Sequence, residues 1–249
     1  MNYLALDAST EACSVALNLN GKTYSRYDLC PQSHSLQLLP MVDAVLKEAG
    51  ITLKYLDGLI FGRGPGSFTG VRIGVGVAQG LAFSANLPVV GVSSLQAMAQ
   101  SAYLEHNQTE VLALIDARMN EVYNGYFKLD ARGIMQPKTL FKADPETKEA
   151  DSSTLLYEFV TPPGQVKSQF EAQSLAAVYG VGTGWDAYED TLSALKVNQG
   201  SPQVLFPNAV AMLTIGHALF EQGEGVSAEN AQPVYVRDTV SWKKLPGKS

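Results

Sequence analysis

The sequence predicts an α/β fold of two structurally related lobes, and three observations predict it. Leu4-Ala5-Leu6-Asp7-Ala8 is echoed by Leu112-Ala113-Leu114-Ile115-Asp116-Ala117, so that Asp7 and Asp116 stand 109 positions apart. Each echo runs into a short polar stretch, an alternating run and a glycine turn, an order that one chance match does not give. Short apolar runs and helical spacings share the rest of the chain, as a mixed sheet with packed helices requires. The expected organisation is a first lobe over 1–108 completed by a helix at 208–222, a reduced second lobe over 109–207, and an extended tail over 223–249.

Taken in order, Tyr3 to Asp7, Ala12 to Leu17 and the run after Gly21 alternate as strands, and Asn20-Gly21 between them is a strong hairpin signal. Leu39, Val42, Leu46 and Ala49 fall at helical spacing within 36–49, and Gly50 suits a left-handed cap at the end. Pro40 is expected near the first turn of that helix or at a bend in it. Leu59-Ile60-Phe61 forms a strand leading into the glycine-rich loop 62–70, a helix follows over 71–84, and Val89 to Val92 forms the next strand. Ser93 or Ser94 is placed to cap the helix after it. In the second lobe Val122 to Phe127 alternates before the turn Arg132-Gly133, while 145–153 and 161–169 read as polar, proline-containing loops. Val178 to Val181 reads as a buried strand, an amphipathic stretch starts at Trp185, and Pro207-Asn208 starts a final helix over 209–222.

Composition narrows the functions. The 249 residues carry 18 Lys plus Arg against 24 Asp plus Glu, a formal charge of −6, which argues against an autonomous grip on nucleic acid. Three histidines leave little material for a His-rich metal site, and His34 has Leu38 rather than a second histidine four residues on. His34 reads as a surface residue. The two cysteines, Cys13 and Cys30, read as reduced thiols of a cytoplasmic protein. No basic or apolar leader precedes Asp7, and the apolar stretch 73–88 is too short and too glycine-rich to span a membrane.

A strand that ends in an acid and turns tightly into a second strand, repeated in two lobes, resembles the nucleotide cleft of the actin, hexokinase and Hsp70 superfamily. The resemblance implies that turn amides and hydroxyls meet phosphates while carboxylates hold metal and water. Asp7, Ser9 and Thr10 occupy the first such position, Asp116 and Arg118 the second, and Gly182 and Gly184 stand where a base or ribose would lie. The alternative is ordinary turn chemistry, in which aspartates at strand ends satisfy local amides and a Gly-x-Gly makes a tight strand-to-helix turn. The loop 62–70 lacks the Lys-Ser or Lys-Thr end of a P-loop. The helix after it carries one small-residue stripe of Gly70, Gly74 and Ala78 and a neighbouring one of Gly76, Gly80 and Ser84. Packing against the chain's own sheet accounts for one stripe and leaves the other for a second helix. With Leu36, Leu39, Val42 and Leu46 on the preceding helix and Val77 and Leu81 on this one, these positions are the candidate partner interface.

Leu6-Asp7-Ala8-Ser9-Thr10, Ser14 to Leu17, His34-Ser35, Leu39-Pro40, the string Gly64-Pro65-Gly66-Ser67-Phe68-Thr69-Gly70-Val71-Arg72-Ile73-Gly74, Ile115 to Arg118, Pro233 to Arg237 and Trp242 to Lys244 together resemble the TsaB (YeaZ) family. The glycine string is the most specific of these, and the resemblance spans the chain. It implies a non-catalytic relative of the metal-binding transferase TsaD, within the machinery that makes threonylcarbamoyladenosine beside the tRNA anticodon. TsaD and the ATPase TsaE are the implied partners, with a homodimer when the chain is alone and tRNA met only through the complex. No cofactor of its own is implied beyond weak ADP or ATP binding. The rival is an actin-like small-molecule kinase or ATPase, which needs a working phosphate turn in both lobes.

Overall fold

Local signals build the first lobe. In the computed structural model, which describes residues 1–138, 157–172, 178–195 and 203–237, strands β1 (Tyr3–Asp7), β2 (Ala12–Leu19) and β3 (Lys22–Leu29) form an antiparallel meander. Asn20 (φ 50°) and Gly21 (φ 84°) both take the left-handed conformation that a two-residue hairpin turn matched to strand twist demands. Helix α1 (His34–Ala49) follows and ends on Gly50 at φ 69°. It begins two residues before the expected start, so Pro40 is its seventh residue and lies beyond the first turn.

Strand β4 (Gly58–Gly64) lies parallel to β1. Ser67 caps helix α2 (Phe68–Ala85), its hydroxyl accepting from the Gly70 N–H at 3.3 Å. Strand β5 (Val89–Ser93) completes the sheet order β3-β2-β1-β4-β5. Of the two serines offered for capping, Ser93 caps helix α3 (Ser94–His106), accepting from the Gln96 N–H at 3.2 Å.

The pattern then repeats. Strands β6 (Glu110–Asp116), β7 (Val122–Leu129) and β8 (Met135–Lys138) form a second meander, turning at Gly133 (φ 80°). Strand β9 (Glu158–Thr161) pairs with the Val122–Gly125 half of β7, and β10 (Tyr179–Val181) lies parallel to β6. The order β10-β6-β7-β8 reproduces β4-β1-β2-β3 of the first sheet in both order and direction. The fold is thus the two-lobed α/β plan of actin and hexokinase. Among the described residues the second sheet has no counterpart of β5.

Two readings are corrected here. The segment 161–169, expected as a loop, contains the end of β9 and helix α4 (Pro163–Ala172). Pro163 sits at the first helical position, where its missing N–H is not needed and its fixed φ favours starting a helix rather than breaking one. The stretch from Trp185 divides into two single turns, α5 (Gly184–Ala187) and α6 (Glu189–Leu192). The expected loop at 145–153 and the residues Trp242, Lys243, Lys244 and Lys248 lie outside the described residues. Helix α7 (Ala209–Glu221), capped by Asn208, packs on the first sheet. The chain after it is a strap rather than a free extension: Val226 pairs with Val89, the Val234 N–H donates to Arg63 O at 2.8 Å, and Arg237 pairs with Glu121 of the second lobe.

Helices α1 and α2 cover one face of the first sheet through Leu38, Val42, Val75 and Ala78, and α7 covers the other. Gly216 lets α7 sit down, since a Cβ there would stand 2.4 Å from Ile60 Cδ1. Between the lobes, Arg63 of β4 meets Glu158 of β9 at 3.1 Å, with side chains 13% and 4% exposed. The pair is close enough for charge attraction, but its angles leave Arg63 Nη1 and Glu158 Oε2 without a directed hydrogen bond. Burying two charges is costly, so the pair is worth most as mutual neutralisation. Glu158→Gln is expected to destabilise the protein by about 3 kcal/mol, because Arg63 is left buried and unpaired. Arg63→Met/Glu158→Leu is expected to recover most of that loss, as urea unfolding of the three proteins would show.

Candidate functional site

The first acidic turn is closed. Asp7 ends β1 at 1% exposure, and Ala8, Ser9 and Thr10 after it are equally buried. Asp7 Oδ1 accepts from the N–H and the hydroxyl of Ser9, both at 3.0 Å, and Ser9 Oγ lies 2.7 Å from Ser94 Oγ. Asp7 Oδ2 has no hydrogen-bond partner. Burial pushes the Asp7 carboxyl up from 3.8 to about 6, opposed by the two Ser9 hydrogen bonds and the nearby His34. Thr10 turns the chain into β2, and its carbonyl lies 2.6 Å from His34 Nε2.

The glycine string explains the closure. A Cβ at Gly62 would stand 1.7 Å from Asp7 Oδ2, one at Gly66 2.1 Å from Ser9 O, and one at Gly70 2.2 Å from Ala8 O. The Ser67 N–H donates to Ser9 O at 2.7 Å. The loop and the start of α2 are therefore seated against the turn that an actin-like protein opens to phosphate. Absent side chains here admit the protein's own Asp7 carboxylate and the carbonyls of Ala8 and Ser9.

The second turn is held differently. Asp116 ends β6; Oδ1 accepts from the Arg118 N–H at 2.9 Å and the Tyr188 hydroxyl at 3.2 Å, and Oδ2 pairs with Arg118 Nη1 at 2.9 Å. Arg118, Met119 and Asn120 all lie at positive φ. Arg118 also reaches Glu11 of the first turn at 3.7 Å, an exposed contact of little energetic weight. Thr183 Oγ1 accepts from the Asp116 N–H at 3.2 Å. Gly182 and Gly184 do not line an open site. Their missing Cβ atoms would stand 2.2 Å from Leu114 O and 2.8 Å from Leu114 Cβ, so they let the strand-to-helix turn press on β6.

The expected partner residues divide. Val42, Gly70, Gly74 and Ala78 are buried in the first lobe, and a Cβ at Gly74 would stand 3.7 Å from Ala8 N, so these positions face the chain's own core rather than its outer surface. The reason is that this stripe packs on the chain's own β1 turn. Leu36 and Leu39 are 73% and 48% exposed, Leu46, Val77 and Leu81 are half-buried, and Gly76 and Gly80 face open space. Phe83, 78% exposed, continues this outer face.

His34 is half-buried rather than on the surface, because its ring reaches back to Thr10. Sequence reasoning did not join it to Cys13 and Cys30, which it meets in space. Tyr188 and Glu158 were also missed, while Ser94 was considered only as a helix cap and Arg237 only as part of the tail; each of the four acts across the fold. Among the described residues no helix is long and apolar enough to cross a membrane.

Comparison with known proteins places these features. The profile of the family described as TsaD, tRNA N6-adenosine threonylcarbamoyltransferase, matches residues 28–202. The chain is 44% identical to the tRNA threonylcarbamoyladenosine biosynthesis protein TsaB of Escherichia coli K12, over all of both chains. It is 42% identical to TsaB of Haemophilus influenzae, over all of this chain and 98% of that one. The solved structure of YeaZ from Pseudomonas aeruginosa, 43% identical, superposes with a TM-score of 0.75 over 94% of this chain and 99% of that one.

A buried acid with a raised pKa loses stability for the fold as it ionises. The Asp7 contribution is therefore most unfavourable above about pH 6 and is relieved as pH falls toward 3.8. Asp7→Asn removes that titration. The stability of the native protein relative to Asp7→Asn should rise by about 1.4 kcal/mol between pH 8 and pH 5, on 1.36 kcal/mol per unit. Urea midpoints of both proteins at the two pH values check this, and a pH-independent difference would remove Asp7 as the source.

Proposed function

The chain belongs to the TsaB family, and on that premise we propose that it is a non-catalytic subunit of threonylcarbamoyl transfer to the adenosine beside the tRNA anticodon. TsaD supplies the transfer chemistry and TsaE the ATPase activity, and this cytoplasmic chain needs no nucleotide of its own for its role. The observation that carries the reading is the closed first turn. Phosphate binding at Asp7, Ser9 and Thr10 requires donors that face a ligand, but these groups are buried and the glycine loop occupies the space above them. An actin-like kinase or ATPase would have to lift α2 off β1 before each turnover. The same residues that fail as a phosphate cradle succeed as packing, which supports a scaffold.

The outer face of α1 and α2 is the proposed contact with TsaD. Leu36, Leu39 and Phe83 supply exposed apolar surface, and Gly76 with Gly80 removes side-chain bulk so that a partner helix can approach. A second copy of the chain is proposed to take the same face when TsaD is absent. Tight tRNA binding is assigned to the assembled complex, because a chain of net charge −6 supplies little attraction for phosphates.

Two outcomes test this reading. The purified chain should hydrolyse neither ATP nor peptides, yet should raise modified-adenosine formation by TsaD and TsaE; Asp7-dependent turnover by the chain alone would overturn the non-catalytic reading. Gly80→Leu fills the open stripe without touching the core, and overpacking of a close contact costs about 1–3 kcal/mol. Affinity for TsaD should fall by roughly one to two decades, at 1.4 kcal/mol per decade, with Tm no lower than in the native chain, since the change also removes a glycine from a helix interior. Unchanged affinity, measured by calorimetry, would move the contact elsewhere.

A further inference from the structure

Cys13, Cys30 and His34 converge from three elements. Cys13 lies on β2, in the apolar cluster that also holds Leu38 and Met41 of α1. Cys30 follows β3, its N–H donating to Glu11 O at 3.0 Å. Its carbonyl accepts from the Ser33 N–H at 3.0 Å and the Ser33 hydroxyl at 3.2 Å, and Gln32 turns the loop at φ 65°. That turn delivers His34 as the first residue of α1. One ligand atom from each of the three side chains lies within 4.8 Å of the other two. Both cysteines are free thiols, buried to 0% and 4% exposure.

The histidine is set up for one role. Its Nε2 lies 2.6 Å from the Thr10 carbonyl, which can only accept, so Nε2 carries the hydrogen. In the neutral ring Nδ1 is then the nitrogen with the lone pair. Metal-ligating histidines are typically oriented in this way, with one ring nitrogen on the metal and the other donating to a carbonyl or carboxylate.

We propose that Cys13, Cys30 and His34 bind one zinc ion, with water in the fourth position. Zn–S bonds of about 2.3 Å and a Zn–N bond of about 2.0–2.1 Å in a tetrahedron set ligand atoms roughly 3.6–3.8 Å apart. The triangle present needs at most about 1 Å of contraction to reach those separations, within the reach of side-chain torsions. Two thiolates and a neutral imidazole cancel the charge of Zn²⁺, giving a neutral unit fit for an apolar surround. Without an ion the environment opposes thiolates, since burial and the adjacent Cys30 both push the Cys13 thiol up. Soft sulfur donors with imidazole favour zinc over magnesium or calcium, which take oxygen ligands. The ion would clip the β2–β3 hairpin to the first turn of α1, independently of any reading of the partner face.

Cobalt(II) reports such a site directly. The reduced full-length chain, stripped with a chelator, is titrated with Co²⁺ and then with Zn²⁺ in competition. The expected result is one equivalent bound, thiolate-to-cobalt charge-transfer absorption that zinc abolishes, and a higher Tm with zinc. Cys30→Ser and His34→Gln should each weaken Co²⁺ binding roughly 100-fold or more, since even outer partners of a metal site are worth 10–100-fold. Circular dichroism confirms that each variant is folded, and Cys13→Ser serves as a second thiolate test. Absence of stoichiometric cobalt uptake by the reduced native chain, or uptake without thiolate charge transfer, would overturn the proposal.

Discussion

The close approach of the 62–70 loop and the start of α2 to the Asp7 carboxylate and the backbone of Ala8 and Ser9 is the constraint on which the first lobe depends. Three glycines face that turn at distances no Cβ would tolerate, and the Ser67 N–H locks the loop to Ser9. Gly62 and Gly66 lie in the loop and Gly70 in the first turn of α2, where Gly74 and Ala78 continue a buried stripe of small residues. Glycine in a helix costs about 1 kcal/mol relative to alanine, so such a run persists only where something is gained by proximity. Here the gain is the seating of α2 on β1, which positions α1 beside it and leaves the outer faces of both helices exposed.

On the proposed reading, the same contact separates the fold from phosphate chemistry. An actin-like turn works as a phosphate site only when its amides and hydroxyls point into a cleft, and burying it converts those donors into internal structure. Asp7 carries the consequence, as a carboxylate with one oxygen unpartnered and a pKa raised to about 6. The second lobe reaches a similar end by another route, since Asp116 is committed to Arg118 and Tyr188. A strap from α7 ties the lobes together through Val234 and Arg237.

Much of the architecture was legible because it rests on local chemistry. Asn20-Gly21 could be read as a hairpin because left-handed φ values select those residues, and the Asp7 and Asp116 echoes could be read because each lobe repeats one strand order. The site was less legible. The loop 62–70 showed its glycines but not what they face, and whether a missing Cβ admits a phosphate or a carbonyl depends on the other side of the contact. Helix α4 was hidden by Pro162-Pro163, where position decides whether proline starts a helix or stops one. Glu158, Ser94 and the cysteine and histidine cluster join residues distant in the chain, and periodicity carries no trace of such pairings.

The central claim, that the first turn is internal structure closed to nucleotide, is tested most directly by amide hydrogen exchange. The amides of Ser9, Ser67 and Gly70 are to be followed with and without saturating Mg-ATP. The account predicts exchange near the slow limit set by global unfolding, with rates unchanged by nucleotide. Fast exchange at these amides that ATP suppresses would contradict it.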